Sequence, residues 1–142
     1  MFSIDPMPPL IRHLARRLVA LEKARVGATA DGCEATRVCD KLRVPLVKLA
    51  GVAGFLSLLS RALALAKSAE PILKGVQVQP DGTLSGFAAI APERRAEAGE
   101  VVVAQLLHLL VTFIGKPLTL RLVGEAWPEA TIGLDEGSGE AS

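Results

Sequence analysis

The sequence predicts a mostly α fold, a helical bundle of three to four helices with one small β-hairpin. Apolar residues recur at helical spacing along most of the chain. One helix carries an unbroken 4–3 apolar seam over about four heptads, and a single Asp-Gly turn sits between two alternating segments. A chain of 142 residues suits one domain, expected over 1–130. The acidic, small-residue-rich segment 131–142 is expected to be a disordered tail.

The first helix is expected from Pro8 to Val26. Proline suits a first turn, where the missing N–H costs nothing, and Leu10, Leu14, Leu18 and Leu21 share a face opposite Arg12, Arg16, Arg17 and Lys23. Gly27 ends it, and 27–32 reads as a loop. In the second helix Val38, Leu42, Pro45, Leu49, Val52, Leu56, Leu59, Leu63 and Ala66 fall on one heptad seam. Pro45 removes a helical N–H, so a kink is expected there. Phe55, Leu58, Ala62 and Leu65 widen the apolar face, and Pro71 closes the segment.

Segments 75–79 and 83–87 flank Pro80-Asp81-Gly82 and predict a hairpin. Two strands alone are marginal, so its Val76, Val78 and Leu84 face is expected to rest on the third helix, at Val102, Leu106 and Leu109. That helix is expected from Pro92 to Ile114, with Gly115 as its stop. The last segment, to Trp127, is read as a helix because Pro117 opens it and Pro128 follows its end.

Composition narrows the function classes. Half the residues are apolar, which excludes global disorder, and two cysteines exclude a disulfide scaffold. Cys33 and Cys39 lack a zinc or redox spacing, and His13 and His108 lie too far apart to suggest a metal pair, so no metal or cofactor is expected. The mean hydropathy, +0.39, is high for a small domain and calls for an oligomer or a membrane. The most apolar runs, 49–59 and 101–114, fall short of the roughly 20 residues of a bilayer span. A homo-oligomer, most simply a dimer, is therefore expected over a membrane protein. Segment 1–9 lacks the basic and apolar regions of a signal peptide, and a cytoplasmic location is expected. Residues 1–61 carry ten Lys/Arg against five Asp/Glu, and 62–142 six against ten, an asymmetry that can steer association. With a net charge of +1 and few aromatic residues, nucleic acid is not an expected partner.

The stretch Asp40-Lys41-Leu42-Arg43-Val44-Pro45-Leu46-Val47-Lys48-Leu49-Ala50-Gly51 resembles the phosphoacceptor box of sensor histidine kinases. Leu42, Arg43, Pro45, Leu46, Leu49 and Gly51 match that box in order. The resemblance covers 12 residues and implies a dimerising helical hairpin and a setting in bacterial signalling. Asp40 stands where the family's phosphorylated histidine would be, and Lys41 where its acid would be. Aspartate lacks the nitrogen nucleophile, so the family's activity is not carried over.

The expected function is a non-catalytic, oligomerising helical adaptor or regulator, with another signalling protein as a further partner. Val38, Leu42, Leu49, Val52, Leu56, Leu59 and Leu63 are its candidate interface. Two alternatives come from other classes: a histidine phosphotransfer protein using His108, which lies in an apolar run, and a peripheral lipid-binding module using the apolar helices.

Overall fold

The computed structural model describes residues 9–26 and 34–128. The loop expected at 27–32, Cys33 and the tail expected at 131–142 lie outside the described residues. Four helices form: α1 (Pro9–Val26), α2 (Glu34–Ala69), α3 (Pro92–Ile114) and α4 (Lys116–Ala126). Between α2 and α3 the chain makes a short 3-10 turn (Pro71–Leu73), a hairpin of β1 (Gln77–Val78) and β2 (Leu84–Ser85), and a second 3-10 turn (Phe87–Ala89). The mostly helical bundle with one small hairpin is thus the observed architecture, and the segment after Gly115 is helical.

One continuous core joins all four helices. Leu14 and Leu18 of α1, Leu42, Phe55 and Leu59 of α2, Leu106 and Leu110 of α3, and Val123 and Trp127 at the end of α4 are all buried in it. α3 packs on α1, α2 and α4, so it is the central element. That role explains its nearly all-apolar second half.

α2 is bent, but not where its proline suggests. Pro45 lies within helical backbone, whereas Gly51 has φ 81° and ψ 167°, a region open to glycine and costly to other residues. A side chain at Gly51 would meet no atom within 4 Å, so the bend turns its outer side to solvent. Residues on both arms of the seam, Val38, Leu42, Leu59, Leu63 and Ala66, are buried in the chain's own core. Leu49 and Val52 flank the bend and are exposed. The seam is therefore not one continuous intermolecular strip: a helix broken at Gly51 cannot present a single face along its whole length.

The hairpin docks on α2, not on α3 as its apolar face suggested. Gln77 pairs with Ser85 and Val78 with Leu84. Gln79 N–H donates to the Thr83 carbonyl at 2.7 Å and Gly82 N–H to the Gln79 carbonyl at 2.9 Å, which closes a three-residue loop. Asp81 Oδ1 accepts from Thr83 N–H and Oγ1, and these bonds hold its carboxyl below the usual range. Two contacts choose the side. Arg43 Nη1 of α2 donates to the Asp81 carbonyl at 2.7 Å, and Gly82 lies against the Phe55 ring of α2. Val76 and Leu84 are buried beneath.

Candidate functional site

α4 lies along the first arm of α2, and its end is fastened by a buried polar cluster. Glu22 of α1 is almost wholly buried. Its Oε2 accepts from Lys41 Nζ of α2 at 2.6 Å and from Trp127 Nε1 at 2.8 Å. Lys41 Nζ also stands 5.6 Å from the centre of the Trp127 ring. Three elements distant in sequence thus meet at one carboxylate. Burying that charge is tolerable because a cation and an N–H donor satisfy it.

Beyond this cluster, α2 and α4 leave an open groove of about 470 Å³ between them. Val44, Pro45 and Leu49 form the α2 wall, and Leu118, Leu122 and Ala126 form the α4 wall. Lys41 and Lys48 rim the first wall and Glu125 the second. Val44 is 61% exposed and Leu49 48%. Exposed apolar side chains of this size, gathered beside a groove, mark a contact surface more often than isolated ones do. The groove has the lining of a docking site: apolar walls with a few charged groups on the rim.

Of the candidate interface residues, Leu49 lines this groove and Val52 is exposed at the bend, while Leu56 is half-buried. Val38, Leu42, Leu59 and Leu63 are occupied inside the chain. His108 is half-buried on α3, where its main-chain carbonyl accepts a bond from Thr112 Oγ1. His13 is exposed on α1, and Cys39 is buried as its helical position suggests. Among the described residues, no three of His, Cys, Asp or Glu gather as metal ligands.

Asp40, at the histidine position of the kinase-like box, faces the hairpin. Burial pushes its carboxyl up, the Asp81 carboxylate adds to that shift, and Arg43 and Arg37 oppose it. Arg43 Nη2 lies 3.9 Å from Asp40 Oδ1 while its other terminal nitrogen holds the Asp81 carbonyl. In this box, therefore, the conspicuous residues do structural work: Leu42 and Leu46 fill the core and Arg43 pins the hairpin.

Sequence reading missed Glu22, Trp127 and the α4 wall. The available signal was Glu22 itself, an acid one helical turn beyond Leu18 on the apolar face of α1. A buried acid at that register asks for a cation and a donor from elsewhere. No protein family, curated protein or solved structure matches the chain.

Proposed function

We propose that this chain is a non-catalytic helical adaptor or regulator that self-associates through the groove between α2 and α4. The observation that carries the reading is the exposure of Val44 and Leu49 along a groove whose two rims differ in sign. Lys48 stands on the α2 side, next to the Glu22-paired Lys41, and Glu125 on the α4 side. A second copy turned about the long axis of the groove lays its α2 wall on the first copy's α4 wall. Apolar side chains then cover each other and the cationic rim meets the anionic one. Such a pairing is self-complementary and closes as a two-fold dimer. The high mean hydropathy supports it, because large apolar side chains remain uncovered on a small domain.

Light scattering at micromolar concentration tests the reading. The expected mass is twice the 14.9 kDa of the chain. Val44→Asp places a charge in the covered groove and is expected to give the single-chain mass with unchanged helical circular dichroism, since Val44 is exposed within one chain. A single-chain mass for the unaltered protein overturns the proposal.

A further inference from the structure

The outer corner of the molecule has a different chemistry from the groove. There α2 bends at Gly51 and α3 passes to α4 through Gly115. The two turns meet in space: Ala50, Gly54 and Leu58 border one cavity with Leu109 and Phe113, and Lys48 and Leu49 border the groove with Leu118. Val52 is 59% exposed and Phe113 63%, and residues 51–53 are all exposed. Arg61, which borders the same cavity as Phe113, and Lys116, three residues beyond Phe113, are both exposed.

No acid borders the cavity that Arg61 shares with Phe113. From Lys41 to Ala69 the chain contains no Asp or Glu, and from Val101 to Gly124 none either. The acids of α3, Glu93, Glu97 and Glu100, lie in its first three turns. Phe113 is thirteen residues beyond the last of them on the same helix, about 20 Å at the helical rise. Glu125 lies nine residues from Lys116 on α4, about 14 Å at the helical rise. Both distances exceed the roughly 8 Å screening length at physiological salt, so the field at the corner is cationic.

We propose that this corner docks on the surface of an anionic lipid bilayer. Val52 and Phe113 enter the boundary between headgroups and acyl chains, and Arg61 and Lys116 face the anionic headgroups. A second copy is the poorer occupant, because it would bring the same cations to the same place. A nucleic-acid backbone would satisfy Arg61 and Lys116 but leave Val52 and Phe113 without a partner. A surface contact needs no continuous run of about 20 apolar residues. α2 and α3 each hold a window long and apolar enough for a span by composition, and less than half of either window is buried inside the chain. That leaves apolar surface available at this end.

Co-sedimentation of the full chain with large vesicles tests the proposal, with phosphatidylcholine alone compared with phosphatidylcholine mixed with phosphatidylglycerol. Binding is expected to the mixed vesicles and to weaken as salt is raised. Val52→Asp and Phe113→Asp are each expected to lower the partition coefficient about tenfold or more, and the double variant Arg61→Glu/Lys116→Glu by a similar factor. Lys74→Glu, an exposed charge beside the start of α3 and away from the corner, should leave binding unchanged. Circular dichroism confirms that each variant is folded, and light scattering of the unaltered chain reads the groove proposal separately. Failure to bind the mixed vesicles overturns the inference. So does undiminished binding by the two Asp variants, or a fall in binding to duplex DNA that parallels the fall with vesicles.

Discussion

At the scale of single residues, Trp127 and Asp40 show opposite uses of burial. Trp127 is fully enclosed and its Nε1 satisfies Glu22, so it links the end of α4 to α1. Trp127→Phe removes that donor and part of the ring, and is expected to cost about 2–4 kcal/mol in urea unfolding followed by circular dichroism. A loss under about 0.5 kcal/mol would show that the cluster does not hold α4 in place. Asp40 works against the fold at neutral pH. Its carboxyl is raised by burial, so the folded chain binds the proton more tightly than the unfolded chain does. The stability it contributes is fully present at acid pH and is lost as pH rises through the raised folded value. Asp40→Asn is therefore expected to raise the urea midpoint at neutral pH. The gain is small, under about 1 kcal/mol, because the side chain is partly solvated. The gap should close as pH falls through the carboxylate range, and a gap that widens there would reverse the sign argued here. The residue that resembles a phosphorylation site is thus placed for packing beside the hairpin, and no acid-labile phosphoprotein is expected on incubation with labelled ATP.

At the scale of elements, local pattern and long-range choice separate cleanly. The spans of α1, α3 and α4 were legible because periodicity, prolines at the first turns and Gly115 all act within a few residues. The bend in α2 was misplaced because Pro45 announces itself chemically, whereas Gly51 acts through a backbone conformation that no apolar pattern displays. Gly51→Ala is expected to cost about 1–3 kcal/mol by strain at positive φ. Gly75→Ala, where an added Cβ meets nothing and φ is not in the left-handed region, should change stability by less than about 0.5 kcal/mol. Equal effects at the two sites would remove Gly51 as the joint. The hairpin itself was legible from its turn, but not its resting place. Both α2 and α3 offer apolar strips, and the decision falls to Arg43 reaching the Asp81 carbonyl and Phe55 meeting Gly82. Contacts across that much sequence leave no local trace.

At the scale of the whole molecule, the interior and the surface divide the apolar residues differently from what a heptad seam alone implies. Most of the seam completes the chain's own core, and the residues left over gather at the α2–α4 groove and at the bend. The groove carries both signs of charge and suits a second copy, whereas the corner carries one sign and suits an anionic surface. The candidate site was half legible. Leu49 and Val52 stood on the seam, but the α4 wall of Leu118, Leu122 and Ala126 was visible only once α4 folded back along α2. The central claim is that two copies meet groove to groove. It is tested most directly by isotope-filtered NOE spectroscopy on an equal mixture of labelled and unlabelled chains, which detects only contacts between copies. The predicted result is inter-chain NOEs from the methyl groups of Val44 and Leu49 to those of Leu118 and Leu122. Inter-chain NOEs confined to other surfaces, or none at a concentration where light scattering reads a dimer, would contradict it.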